Sequence, residues 1–401
     1  MVHRIHFNGG DRLFWSGGGT VAYRGSRRDW TGFLQQRLEQ WAITDLVLFG
    51  DCRPLHRLAI DAARRRGIEV HVFEEGYLRP NWITLEAGGV NDNSRLPRDG
   101  AWYREAARGL PQWQAGIPVA GNFPRRAAED VLYNVVTWLC TPLYPGYATH
   151  KPWHPFAEYR SGTRRFLSKR ADRSHRDRTA AELAGGARPY YLMPLQLEAD
   201  SQIRFHSQFG GIAPAIERVI ESFARHAPPD SLLAVTEHPL DAGVVDHQQV
   251  TLRLARQAGV AGRVVYMRGG STEPLVQRAR GVVTVNSTLG VLALGYGVPV
   301  KTLGRALYDL PGLTFQAPLH RFWNDAAPPD AALFDCFRRV LAARTQVNGG
   351  LYSRAGLRLA ADNAAKRLLG TAAAPAPQRA PVPAVAPELG LEPPLALESS
   401  N

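Results

Sequence analysis

Two adjacent carboxylates, Glu74 and Glu75, follow the apolar run IEVHVF (Ile68–Phe73) and open the stretch FEEGYLRPNWITLE. A third, Asp200, follows RPYYLMPLQ in the stretch LEADSQIRFHS. An imidazole, His238, precedes Pro239 in TEHPLD, and Asn286, Ser287 and Thr288 follow GVVTV. Each group stands directly after a segment that reads as a β-strand. In open α/β sheets ligands bind at that carboxyl edge. Carboxylates there can serve as nucleophile or general base. Hydroxyls and backbone N–H groups ahead of a helix suit a phosphate, and His238 could bind a phosphate or stabilise a departing phosphoryl oxygen. Singly, each has a plain structural reading as an acidic turn, a turn histidine or a helix cap. Jointly, at equivalent points of two α/β halves, they point to a nucleotide-sugar site between domains.

The elements that must position these groups follow from pattern. Asp29–Ala42 reads as an amphipathic helix through Trp30, Phe33, Leu34, Leu38 and Trp41. ITDLVLFG (Ile43–Gly50) reads as a buried strand, Asp51–Gly67 as a loop and helix closing at glycine, and IEVHVF as the next strand. Strand, helix, strand implies a parallel sheet. It places Asp51, Arg53 and His56 beside Glu74 and Glu75, either as part of a site or as a salt bridge between Arg53 and a glutamate. Thr84–Ser94 is rich in turn formers and is expected to line the same crevice. Residues 96–124 read as irregular, 125–138 as a helix and 141–151 as a Pro-rich connector. WSGGGT (Trp15–Thr20) matches neither GxGxxG nor a Walker motif and reads as a tight turn.

A second α/β half begins near Arg188, with strands expected at 188–196 and 231–241, in VVYMR, in GVVTV and in VPV, and helices between them. The fold class expected is α/β, two Rossmann-like domains facing a central cleft. The boundaries expected are an acceptor-side domain over 1–180, a second over 181–325, C-terminal helices over 326–370 and a disordered Ala/Pro-rich tail over 371–401.

A length of 401 residues suits two domains, and the 45% hydrophobic and 21% charged content is that of a soluble globular chain. The formal charge of +12 is almost all arginine, a side chain suited to phosphate and carboxylate. The stretch Trp153–Arg178 is the most basic; it reads as a solvated face or as a patch for anionic lipid. Three scattered cysteines in no metal-ligand spacing argue against a disulfide framework or structural zinc and fit a reducing cytoplasm. Neither a signal-peptide design nor a run of about 20 apolar residues is present, so any membrane association is expected to be peripheral. No module that reads DNA or RNA is recognisable, and nucleic acid is not an expected partner.

The segments FGDCRPLHR, FEEGYLRPNWITLEAGGVN, PLQLEADSQIRFHS, TEHPLD and VNSTLGVLALGYGVPVKTLGRALYDLPGLT resemble the bacterial capsule polysaccharide synthesis proteins of the KpsS/LipB type. The resemblance runs from about Leu46 to about Phe315, in the family's order. It implies a GT-B-like, cytoplasmic enzyme, peripheral on the inner membrane, that transfers β-Kdo from CMP-β-Kdo to lysophosphatidylglycerol to start the poly-Kdo linker of a capsule. The donor is a substrate; no cofactor and no metal are implied, and other capsule synthesis and export proteins are possible partners. Retention of anomeric configuration calls for a carboxylate nucleophile and a second acid–base group. By that resemblance Asp200 is the nucleophile, Glu75 the base with Glu74 second, and His238–Pro239 the pair that meets CMP. Ser287 and Thr288 hold the phosphate further, and Asn286, Gln196 and Arg53 complete the substrate side. Arg204 or Arg79 would pair with the Kdo carboxylate through a bidentate fork. Two rivals stay open: a transferase with another nucleotide sugar, and a non-catalytic capsule assembly or export partner.

Overall fold

The computed structural model describes residues 1–370 apart from 16, 150–152, 154–155, 163–172, 187 and 270–271. The tail expected over 371–401 and the centre of the basic stretch 153–178 lie outside the described residues. Two short strands, β1 (Arg4–His6) and β2 (Thr20–Ala22), pair in parallel. The first main sheet contains β3 (Asp45–Phe49), β4 (Glu69–Glu75) and β5 (Trp82–Ala87). The second contains β6 (Tyr190–Pro194), β7 (Leu232–Thr236), β8 (Val264–Met267), β9 (Gly281–Thr284) and β10 (Val300–Thr302). Its order is β10-β9-β6-β7-β8, every pairing parallel. All five residues of β6 are buried, as a central parallel strand with helices on both faces requires. The helix Ile212–His226 covers one face, burying Ile212, Ile216, Val219, Ile220 and Phe223 at helical spacing.

The first sheet departs from the expected parallel order. β3 and β4 are parallel, but β5 returns antiparallel to β4. The chain reverses through Gly76–Asn81, where a Cβ on Gly76 would stand 2.0 Å from the Trp82 carbonyl oxygen. Three readings change with it. TLEA is strand rather than crevice loop, because β5 buries Ile83, Thr84, Leu85 and Glu86. Glu74 and Glu75 are the last residues of β4 rather than a turn after it. DLVLF is an edge strand, not a buried one, and leaves Val47 and Phe49 exposed. A short helix, Gly100–Ala106, also stands in the stretch read as irregular.

The C-terminal segment folds back across both units. The helix Ala331–Arg344 buries Phe334, Phe337, Val340 and Leu341, and Phe337 meets Tyr103 of the first unit at 5.0 Å between ring centroids. Strand β11 (Gln346–Asn348) then pairs antiparallel with β5, giving the order β11-β5-β4-β3. The helix Arg354–Leu368 packs Ala360 and Ala364 over that pair. Three residues, QVN, carry no alternation from which a strand could be read. Among the described residues no helix is long and apolar enough to cross a membrane.

Candidate functional site

The strand order of the second sheet reverses between β6 and β9, and the carboxyl ends of those strands flank a crevice. Gln196, buried just beyond β6, ties its two rims together. Its Nε2 donates to Asn286 Oδ1 at 3.0 Å and to Asp200 Oδ2 at 3.3 Å, and Asn286 N donates to its Oε1 at 3.2 Å. Asp200 caps the helix Ser201–His206, its Oδ1 accepting from Gln202 N at 2.9 Å. Asn286 Nδ2 donates to the Gln202 carbonyl at 2.9 Å. Beyond β9, Tyr308 donates its hydroxyl to the Ser287 carbonyl at 2.6 Å. Gly290 is what lets it approach, since a Cβ there would stand 2.4 Å from Tyr308 Oη. A cavity between the units is lined by Tyr77 and Asn91 from the first and by Gln202, Asn286, Thr288 and Arg305 from the second.

The first unit contributes Glu74 and Glu75, which strand alternation sends to opposite faces of β4. Glu74 shares the face of Val70 and Val72, which pack with Ile60, Ala63 and Val90. Glu75 shares the face of Phe73, toward the helix Arg354–Leu368. There Glu75 is held: Arg79 donates to one oxygen and the Tyr352 hydroxyl to the other. Glu74 accepts from the Glu75 N–H at 3.0 Å. Burial pushes its carboxyl up to about 7; that N–H opposes the shift, while the charges of Asp200, Glu75 and Asp51 add to it. Burial also raises Asp200, which the Gln202 N–H, the Gln196 amide and the Arg79 guanidinium oppose and the Glu75 charge reinforces. Acids from both units thus sense one another across one cleft.

The remaining expected residues are placed as follows. His238 is half-buried beyond β7, with its Nδ1 accepting from Leu240 N at 3.1 Å, and Pro239 is exposed. Arg204 lies on the exposed side of its helix, whereas Arg79 stands at the site in the Glu75 pair. Arg53 is the N-cap residue of the helix Pro54–Arg64. Its charge acts on His56 and Tyr147, and the glutamate's ionic partner is Arg79 rather than Arg53. Asp51 is buried and structural, its Oδ2 accepting from Val90 N at 2.9 Å and from Asn93 Nδ2 at 3.1 Å.

Sequence reasoning missed two groups. The first is His247, whose Nε2 lies 2.9 Å from Glu198 Oε2 and whose Nδ1 lies 3.3 Å from Asp241 Oδ2. It clamps the loop that carries Asp200 to the loop that carries His238. Burial works to lower its pKa, but the two carboxylates outweigh burial and carry it up to about 9. The second joins the units: Cys52 Sγ lies 3.0 Å from His206 Nε2, and Arg305 pairs with Asp92. Asp92 is held down at about 2, because the His206 imidazole 3.7 Å away, the bond from Arg98 and the Arg305 charge overcome its burial. Asp51, Cys52 and His206 offer ligand atoms within 4.8 Å of one another, close enough to share a metal ion. Hydrogen bonds among the three account for the cluster as it stands. No local pattern signals either group, since Glu198 stands 49 residues from His247 and Cys52 stands 154 residues from His206.

Two α/β units thus meet along a cleft at which polar side chains from both are gathered. The family model of capsule polysaccharide biosynthesis proteins matches residues 44–352, and the chain belongs to that family. It is 37% identical over 353 residues to the capsule polysaccharide export protein KpsS of Escherichia coli, covering 87% of this chain and 89% of the relative. It is 35% identical over 360 residues to the capsule polysaccharide modification protein LipB of Neisseria meningitidis serogroup A, covering 88% and 86%. Among solved structures it is similar to Thermosulfurimonas dismutans KpsC, beta Kdo 2,7 transferase, at 16% identity and a TM-score of 0.42, covering 90% of this chain and 94% of that chain.

Proposed function

We propose that the protein is a retaining β-Kdo transferase of capsule polysaccharide synthesis, moving Kdo from CMP-β-Kdo to a lysophosphatidylglycerol acceptor at the inner membrane. The observation that carries this reading is that Asp200, at the switch point of one unit, lies near enough to Glu74, at the strand end of the other, for its charge to raise the Glu74 carboxyl. Asp200 attacks the anomeric carbon as the bond to CMP breaks and the electron pair leaves with the phosphate. Glu74 then takes the proton of the acceptor hydroxyl, which displaces Asp200, so two inversions give net retention. A carboxyl near 7 matches a base that works around neutral pH, which favours Glu74 over the ion-paired Glu75. His238, Ser287 and Thr288 stand at strand ends where the departing phosphate would lie, and Arg79 would meet the sugar carboxylate. CMP is a good leaving group, so the scheme needs no metal and no cofactor.

The test is transfer from CMP-Kdo generated in situ to a fluorescent lysophosphatidylglycerol, comparing wild type with Asp200→Asn, Glu74→Gln and Glu75→Gln. The reading expects one or more added Kdo groups with wild type and at least about a hundredfold loss in the first two variants. CMP binding without transfer to any Kdo-primed or unprimed lipid would instead favour the non-catalytic assembly role.

A further inference from the structure

The helix Phe123–Leu139 uses one of its two apolar faces and leaves the other in solvent. Its inner side packs on the helix Gly9–Leu13. There a Cβ on Gly9 would meet Cys140 at 2.5 Å, and one on Gly10 would meet Tyr133 at 2.5 Å and Thr137 at 2.7 Å. At about 100° per residue, Pro124, Ala128, Val131, Leu132, Val135, Trp138 and Leu139 fall within an arc of about 120° on the opposite side. That arc holds no charge, since Arg125, Arg126, Glu129 and Asp130 project elsewhere. Trp138 is 56% exposed, Leu139 62% and, one turn on, Leu143 55%. Phe156 joins them, its ring 6.0 Å from that of Trp138, and is itself exposed. Scattered exposed apolar residues need no account, but a continuous stripe of this kind marks an interaction surface.

Two observations say what covers it. The chain that leaves this surface, 153–178, carries eight basic residues against three acids, so an apolar stripe and a block of positive charge are adjacent in sequence. Large apolar groups with arginine beside them fit the boundary layer of an anionic bilayer. The other end of the helix reaches the candidate site. Asn122 N donates to the Tyr352 carbonyl at 2.9 Å, Arg126 stacks over the Tyr352 ring at 3.8 Å, and the Tyr352 hydroxyl binds Glu75. We propose that the outer face of the helix Phe123–Leu139, with Leu143 and Phe156, lies in the interface of an anionic bilayer and presents the cleft at Glu74 and Glu75 to a lipid acceptor. This inference rests on the lipid-acceptor reading above. With 17 residues at about 1.5 Å each, the helix runs about 25 Å along that interface and ends beside the residues that hold Glu75.

The test uses the full chain and vesicles of phosphatidylcholine alone or with 30 mol% phosphatidylglycerol, read by flotation at low and high salt. Wild type is expected to float with the anionic vesicles. The double variant Trp138→Glu/Leu139→Glu, and separately Leu132→Glu, should bind them at least about tenfold more weakly. Melting temperature and turnover of a short-chain, water-soluble acceptor should not change. Equal flotation of variant and wild type overturns the proposal, as does failure of wild type to float. A shift of oligomeric state in the variants without vesicle binding also overturns it, and assigns the face to a second copy of the chain. Turnover of the soluble acceptor without flotation sinks the docking face and leaves the transferase reading intact. Helix-dependent flotation with no turnover does the reverse.

Discussion

Replacing Glu74 by glutamine should make the protein more stable and less active, and the stability gain should grow with pH. The carboxyl stands at about 7 in the fold against 4.5 ordinarily. The folded state therefore keeps a proton that the unfolded chain releases between those values. Stability is unaffected below about 4.5, falls as pH rises toward 7, and stays low above it. At 1.36 kcal/mol per unit, the ionised group costs about 1 kcal/mol at pH 5.5 and about 3 kcal/mol at pH 8.5. The neutral amide keeps the shape and carries no such cost. Glu86, which burial pushes to about 8, titrates in the same window but is present in both proteins and cancels in the comparison. Thermal melts at both pH values should show Glu74→Gln ahead of wild type by several degrees at pH 8.5 and by much less at 5.5. Transfer activity should fall at every pH, and the wild-type rate should rise with pH through about 7. An advantage of equal size at the two pH values would refute the account of Glu74 as a buried, proton-holding acid, whatever the activity did.

Three further outcomes are expected. His247→Gln leaves Glu198 and Asp241 facing each other without their cation and should lower stability by roughly 3 kcal/mol. The wild-type contribution is complete below 6.5 and is lost as pH rises through about 9, so wild type should melt well above the variant at pH 7 and the two should converge by pH 10. Asn286→Ala removes the partner of Gln196 and of the Gln202 carbonyl. It should cost about 1–3 kcal/mol, and calorimetric titration should show weaker CMP binding; unchanged affinity would separate this residue from the donor site. Gly76→Ala drives a methyl into the Trp82 carbonyl at 2.0 Å and should cost about 3 kcal/mol or more, read as a lowered urea midpoint; a variant of wild-type stability would show that the turn has room to shift.

Periodicity reported the elements well where they were long or fully buried. The helix Ile212–His226 and the parallel strands of the second unit follow directly from apolar spacing, because burial on fixed faces must be written into sequence. It misled at the first sheet. Five apolar residues in ITDLVLFG look like a central strand, yet β3 is an edge whose Val47 and Phe49 face outward. The direction of β5 depends on a turn that Gly76 permits, and the closing strand QVN is too short to alternate.

Types of side chain and their places at strand ends follow from the sequence alone: the acids, the imidazole and the hydroxyls stand at or just beyond the carboxyl ends of β4, β6, β7 and β9. Which acid does what was decided only in three dimensions. Glu74 and Glu75 are adjacent in the chain, and a pleated strand turns them to opposite faces. One bonds to Arg79 and Tyr352; the other shares the face of Val70 and Val72, and desolvation carries its carboxyl up to about 7. The partners that set this difference come from residues as distant as Tyr352 and Asp200, and the clamp at His247 joins acids that no local pattern pairs. Desolvation and Coulomb forces act through space, so a carboxyl's proton affinity is a property of the packed fold and not of its neighbours in sequence.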